Sequence, residues 1–361
     1  MSDVVLDGLP YAVIVCDDAG ARIADALAEC GPIAVVFDER VRRRARALVR
    51  ALRGAGHTVA GELPVRGGER CKSTRALEGV WRWLVEKRAH RATTLLAVGG
   101  GTVTDLAGFA AATFMRGIAW AAVPTTVLGM ADAAIGGKTA IDLPQGKNLA
   151  GAFWPPRVVL ADLAALPSLP PRERATGLAE IVKAAVIADA GLLEAVGAVA
   201  ARPDDMHLWR AAIVRAARVK IDVVAIDPGE RGARAALNLG HTIGHAIEHA
   251  AGGRLSHGEA VAIGLRGAGL TALRTGRFSR REHARVLHGL ALAGLPVHDG
   301  KLDLAAVMRA LATDKKRGEN GIRFVLPKHI GRVEIDVAVP EKLVRAVVRQ
   351  CSRPPLAEEL G

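Results

Sequence analysis

At 361 residues the chain is longer than one hydrophobic core usually serves, which predicts two domains, and half its residues are apolar, ample for burial. No uncharged apolar run reaches the ~18 residues that span a bilayer, the N-terminus carries Asp3 and Asp7 instead of a basic region followed by an apolar one, and the four cysteines form no CxxC pair; a membrane span, a secretory leader and a cysteine-based metal site are not expected, and a cytoplasmic location follows by default. The net charge of +12 comes mostly from Arg dispersed on helix faces, with only 3% aromatic residues to stack on bases, so a basic pocket for a small anionic substrate is expected and nucleic-acid binding is not.

The first half alternates strand-like and helix-like runs. Strands are predicted over residues 33–37, 57–65, 93–98, 118–123 and 158–160. Helices are predicted over 39–55, with Val41, Ala45, Leu48, Val49 and Leu52 inward, over 73–87, with Leu77, Val80, Trp81 and Leu84 inward, and over 104–115. Such alternation means a parallel sheet flanked by helices. From Pro171 to about residue 312 almost everything reads as helix, followed by strand-like runs over 322–326 and 333–337. The fold class is therefore an α/β domain of residues 1–168 followed by a mainly helical domain of residues 169–351, with 352–361 as a frayed, Pro-containing tail.

Three stretches carry chemistry. Gly99-Gly100-Gly101 closes a buried strand and leads into a helix, where backbone N–H groups can receive a pyrophosphate; a plain tight turn is the alternative. Asp105, placed in the first helical turn, and Asp38, at the end of the first strand, could hold ribose or nicotinamide, or serve only locally. Residues 115–148 gather Arg116, Asp132, Lys138, Lys147 and Asn148 in an otherwise apolar, Gly-rich run, a set suited to a ligand bearing phosphate and carboxylate. Finally, His241 and His245 are four apart on one helix face and His257 opens the next helix, so imidazoles could share a cation; core or surface decoration is the alternative, and His249 extends the same spacing.

Taken together, GGGTVTDLAGFAAATFMRG, VPTTVLGMADAAIGGKTAIDLPQGKN, GLAEIVK and NLGHTIGHAIE followed by HGEAVAIG resemble the motif series of the 3-dehydroquinate synthases, within the sugar phosphate cyclases, in order from about Asp38 to Pro327. The resemblance implies a Rossmann-like NAD-binding domain, a helical metal-binding domain, and conversion of 3-deoxy-D-arabino-heptulosonate 7-phosphate to 3-dehydroquinate and phosphate, a step of aromatic amino-acid biosynthesis. The implied route is transient oxidation by NAD+, β-elimination of phosphate, return of the hydride and intramolecular aldol closure.

By position, the resemblance implies Glu180, His241 and His257 as ligands of zinc or cobalt. It puts Asp132, Lys138, Asn148, Lys183, Lys220, Arg234, Asn238, His245 and Lys316 at the substrate, with Arg116 arriving from the facing subunit of a homodimer. It puts Asp38, Glu69, Lys72, Gly100, Gly101, Asp105, Thr125, Thr126 and Ser168 at NAD, with Lys147 falling in both sets. The sequence departs from the family pattern mildly: Ser168 replaces the usual Thr, Asp142 a common Asn, and residues 131–134 read ADAA. Another cyclase of the valiolone, scyllo-inosose or amino-dehydroquinate type is the nearest alternative, and a metal-dependent polyol dehydrogenase with a GGGxxxD turn a more distant one.

Overall fold

A computed structural model of the chain describes residues 3–313, 317–318 and 321–360. It forms two compact units, Met1–Pro170 and Pro171–Gly361.

The first unit is built on a seven-stranded sheet. Its strands are β1 (Val4–Leu6), β2 (Ala12–Cys16), β3 (Ile33–Asp38), β4 (Val59–Val65), β5 (Thr94–Gly99), β6 (Ala119–Pro124) and, after a separate hairpin of β7 (Lys138–Leu143) and β8 (Gly146–Phe153), β9 (Val158–Asp162). The order is β1-β2-β9-β6-β5-β3-β4, parallel throughout except for β1 at the edge. Every residue of β3 and β5 is buried, as expected for strands covered on both faces. The short helix α1 (Ile23–Ala26) and the helices α2 (Arg42–Gly54), α3 (Thr74–Glu86) and α4 (Gly101–Thr113) supply the covering layers. In α3 the buried tryptophan is Trp83 rather than Trp81, which is half-buried: Trp83 lies beside Leu84 and one turn from Val80, and Trp81 falls at the margin of that stripe.

The topology fixes where a ligand belongs. From β3 the chain goes outward to β4 and then returns across β3 to β5, so the strand order reverses between β3 and β5. In open parallel sheets the crevice beyond the C-terminal ends of strands at such a reversal is the binding place. Asp38 ends β3, and the Gly99-Gly100-Gly101 turn ends β5.

The second unit contains α5 (Pro171–Ile187), α6 (Leu192–Ala201), α7 (Met206–Ile226), α8 (His241–Ala251), α9 (His257–Arg274), α10 (Arg280–Leu292) and α11 (Leu304–Thr313), then a small antiparallel sheet of β10 (Arg317–Gly318), β11 (Gly321–His329) and β12 (Arg332–Val339), then α12 (Glu341–Cys351) and α13 (Ala357–Leu360). Helix α9 is its central rod: from Gly258 to Ala272 nearly every residue is buried.

Two glycines set the approach of its neighbours. A Cβ on Gly264 would lie 2.1 Å from the carbonyl oxygen of Gly240, just before α8, and one on Gly258 would lie 2.3 Å from the carbonyl oxygen of Thr176 in α5. The absence of a side chain is what lets α5 and α8 reach the first turns of α9. Gly258→Ala should therefore push α5 and α9 apart and cost about 1–3 kcal/mol, the usual range for overpacking. A denaturation midpoint equal to that of the unsubstituted protein would refute this packing.

The segment expected to fray carries a buried contact. Glu359 in α13 is buried, and its carboxylate receives Nε and Nη2 of the fully buried Arg266 at 2.8 and 2.9 Å, so a charge pair docks the segment that composition alone reads as loose.

Candidate active site

Three helices of the second unit converge on one buried carboxylate. Glu180 sits in the middle of α5, where its carboxylate is almost wholly enclosed; Oε2 lies 2.5 Å from Nζ of Lys183, one turn on. Oε1 faces the other way, 3.5 Å from Nε2 of His241 and 3.3 Å from Nε2 of His257. One ligand atom from each of these three residues lies within 4.8 Å of the other two.

Both imidazoles are held by their other nitrogen. Nδ1 of His241 is 3.0 Å from the carbonyl oxygen of Leu239, an acceptor only, so Nδ1 carries the proton and Nε2 is left with its lone pair. Nδ1 of His257 is 3.2 Å from Oε2 of Glu248 in α8, the carboxylate–imidazole arrangement that fixes ring orientation at metal sites. His257 is also fixed by its backbone: Ser256 caps α9, accepting from the N–H of Glu259 while Glu259 accepts from the N–H of Ser256, and Arg172 clamps Glu259 at 2.6 and 2.9 Å.

Electrostatics follow from this arrangement. Burial opposes charge on every member, yet the carboxylates of Glu180 and Glu248 on either side push the His257 pKa up to about 10. Burial, reinforced by Lys183, keeps His241 well below the ordinary imidazole range. Glu180 is also buried, but Lys183 and the imidazoles hold it well below the ordinary carboxylate range. A carboxylate oxygen and two Nε2 atoms, with Nδ1 already engaged, fit a divalent cation of the zinc class and leave positions open for water or substrate oxygen.

The first unit assembles a second polar cluster. Helix α4 begins at Gly101 with Gly100 as its cap, so the glycines open the helix and Asp105 lies beyond the first turn, not within it as expected. Asp105 instead receives Nζ of the buried Lys72 at 2.7 Å, and Lys72 also donates to Oδ1 of Asn148. Lys147 is 3.2 Å from the carboxylate of Glu69. The structure thus joins Glu69, Lys72, Asp105, Lys147 and Asn148.

Nearby, Thr125 N–H donates to the carbonyl of Gly99 at 2.9 Å, tying the turn after β6 to the end of β5, and Thr126 Oγ1 accepts from the N–H of Gly129 at 3.0 Å within the turn after β6. Asp38 caps the turn after β3 and binds its own neighbour Arg40 through Nε and Nη2, at 2.6 Å for the shortest contact. The β3–β5 reversal, the glycine-rich start of α4 and the nearby hydroxyls and carboxylates suit a dinucleotide.

Two family models, described as 3-dehydroquinate synthase N-terminal and 3-dehydroquinate synthase C-terminal, match residues 62–176 and 177–317. The 3-dehydroquinate synthase of Gloeobacter violaceus is 42% identical over 345 residues, 92% of this chain and 95% of that protein, and that of Synechococcus is 42% identical over 87% of this chain and 86% of its own length. The chain belongs to the 3-dehydroquinate synthase family.

Among solved structures, a 2-epi-5-epi-valiolone synthase from Streptomyces hygroscopicus with NAD+ and Zn2+ bound matches with a TM-score of 0.87 at 27% identity, covering 97% of this chain and 98% of that one. A 2-deoxy-scyllo-inosose synthase complexed with carbaglucose-6-phosphate, NAD+ and Co2+ matches with a TM-score of 0.82 at 25% identity, covering 97% of this chain and all of that one. Maleylacetate reductase from Agrobacterium tumefaciens, 16% identical with a TM-score of 0.70 over 97% of this chain and 98% of that one, shares the fold.

The remaining residues that the dehydroquinate synthase motifs single out are placed as follows. His245 is exposed one turn beyond His241, its ring 5.0 Å from that of His241 and 5.9 Å from that of His257. Arg234 is fully buried in the turn before α8, donating to the carbonyl of Pro228 at 2.7 Å, and Asn238 in the same turn donates to Glu230 at 3.3 Å. Lys220 is half-buried on α7, Asp132 half-buried in the wide turn Gly129–Ala133, and Lys138 exposed at the start of β7. Arg116 is exposed with a left-handed backbone, as is Met115 before it. Ser168 donates to the carbonyl of Ala165 at 2.7 Å. Lys316 lies outside the described residues.

Sequence reasoning missed Glu248, although it lies three residues after His245 and seven after His241, on the same helical face. It also missed the Ser256–Glu259 capping box, a sequence-level pattern of the S-x-x-E type.

Proposed function

We propose that the chain is a 3-dehydroquinate synthase that eliminates phosphate from 3-deoxy-D-arabino-heptulosonate 7-phosphate and closes the product ring to 3-dehydroquinate, with NAD+ held by the first unit and Zn2+ or Co2+ by Glu180, His241 and His257 of the second. The observation that carries this reading is the Glu180–His241–His257 cluster, in a chain 42% identical over 92% of its length to a dehydroquinate synthase. The bound cofactors would supply a reversible hydride acceptor and a Lewis acid for the hydroxyl being oxidised.

The protein's own residues do the rest. Lys183 neutralises one oxygen of Glu180 and leaves the other for the cation, and its ammonium is assigned to the ring hydroxyls. Lys220, Arg234 and Asp132 hold those hydroxyls and the substrate carboxylate. Lys138, Asn148, Asn238, Lys316 and Arg116 contact phosphate or carboxylate, for which fixed cationic donors are suited. His245, exposed beside buried His241 and half-buried His257, accepts a substrate proton and returns it. Asp38, Glu69, Lys72, Gly100, Gly101, Asp105, Thr125, Thr126, Lys147 and Ser168 are assigned to NAD.

Arg116 acts from the second subunit of a homodimer; the exposed apolar side chains of Met115, Leu149 and Phe153 support a pairing face in this part of the first unit. No described helix is long and apolar enough to cross a membrane, and we place the enzyme in the cytoplasm.

The test is incubation with the heptulosonate phosphate, NAD+ and Zn2+ while phosphate, dehydroquinate and NADH are followed together. Phosphate and dehydroquinate should appear in equal amounts with no net NADH. Steady accumulation of NADH would instead identify a dehydrogenase, and phosphate release without dehydroquinate a different elimination.

A further inference from the structure

The hairpin β7–β8 carries a carboxyl group that the proposed mechanism does not use. The backbone N–H of Asp142 donates to the carbonyl of Lys72 at 2.8 Å, and its Oδ1 accepts from the backbone N–H of Asn148 at 2.8 Å. Its carboxyl also faces that of Glu69. Asn148 has a left-handed backbone, φ +55°, which Asn adopts more readily than most non-glycine residues. Asp142 is thus the point at which the turn bearing Glu69 and Lys72 meets the hairpin bearing Lys147 and Asn148.

Two carboxyl groups that face one another cannot both ionise cheaply; one proton between them converts repulsion into a bond. We propose that Asp142 is a positioning residue that clamps this turn to the hairpin through a proton shared with Glu69. The consequence for NAD rests on the assignment of Glu69, Lys72 and Lys147 given above.

The groups facing the pair are Lys72, ahead of α3; Asp105 of α4, reached through Lys72; Cys71 of the same turn; and Lys147 of β8. Burial, helped by the Glu69 carboxyl and opposed by the Asn148 amide, pushes Asp142 up to about 6. Glu69 is also raised by burial, but Lys147 and Lys72 outweigh this and hold it below the ordinary range, so the shared proton resides on Asp142. With its folded pKa raised, Asp142 contributes stability that is complete below about pH 3.8 and is lost as pH rises through about 6.

The test uses the full-length protein with carbon-13-labelled aspartate carboxyls, alongside D142N and E69Q, each checked by thermal melt. One aspartate resonance should titrate near pH 6 in the unsubstituted protein, be missing from D142N, and titrate lower in E69Q. A resonance with an ordinary aspartate midpoint, or one unmoved by E69Q, overturns the shared proton. NAD+ affinity, read by fluorescence, should fall by up to about tenfold between about pH 5.5 and about pH 8, the size of one unit of coupling. In D142N it should stay flat, because the amide donates to Glu69 at every pH. An equal fall in D142N overturns the clamp, whereas an affinity flat in both proteins while the resonance behaves as expected overturns only the assignment of Glu69 to NAD.

Discussion

His241→Ala is expected to strip the protein of its divalent metal and to lower turnover by on the order of a thousandfold, about 4 kcal/mol in the barrier, which is what loss of a Lewis acid at the reacting hydroxyl costs. His241 is the cleanest of the three proposed ligands to remove. Burial keeps its imidazole neutral, so its loss leaves no buried charge behind, whereas removing Glu180 would strand the buried Lys183 beside it. Metal content after dialysis and phosphate release should fall together while the fold persists. Glu248→Gln is the informative comparison: Glu248 reaches Nδ1 of His257 and is not one of the three proposed ligands, so its loss should weaken metal binding by about 10–100-fold without abolishing it. Full metal retention and activity in His241→Ala would refute the ligand assignment, and equal losses in the two variants would refute the distinction between ligand and support.

What the sequence disclosed of this site follows from the range over which local physics acts. The i, i+4 spacing of His241 and His245 on a helix was legible because both lie in one element, and so was the buried character of β3 and β5 as continuous apolar runs. Periodicity carries no information about which elements meet. Glu180 joins the histidines only because Gly258 lets α5 touch α9, and the sequence reading reached it through motif resemblance alone. The hairpin β7–β8 was missed because the exposed Gly146–Phe153 strand lacks a clean apolar alternation, and residues Lys138, Lys147 and Asn148 then read as charges without a scaffold. Asp105 was placed in the first turn of α4 because glycines were taken to precede the helix; here they begin it. The short strands β1 and β2 were also missed. β1, at three residues, falls near the lower limit at which pattern separates a strand from a loop.

Glu359→Ala is expected to destabilise the second unit by about 3–5 kcal/mol, the cost of leaving a buried charge without its partner. Arg266 is fully buried in α9; its guanidinium reaches both carboxylate oxygens of Glu359 and donates to the carbonyls of Val297 and Arg353 at 3.0 and 2.7 Å. Gln350 donates to the same carboxylate at 2.7 Å, and His283 lies 3.7 Å away. For a unit of this size the loss amounts to roughly 6–20 °C in melting temperature. Removing both partners tests the cause: Arg266→Met combined with Glu359→Met leaves no charge to desolvate and should recover most of the loss, because an apolar pair of similar volume can replace a buried ion pair.

The sign of the pH dependence is fixed as well. Although burial raises Glu359, nearby His283 and the hydrogen bonds from Arg266, the Leu356 N–H and Gln350 hold its carboxyl well below the ordinary range. A depressed folded pKa contributes stability that is complete above the unfolded value of 4.5 and is lost as pH falls below it. Stability of Glu359→Ala should therefore converge on that of the unsubstituted protein in acid. A constant difference across that range would mean that packing by α13, and not the charge pair, docks the C-terminal segment against α9.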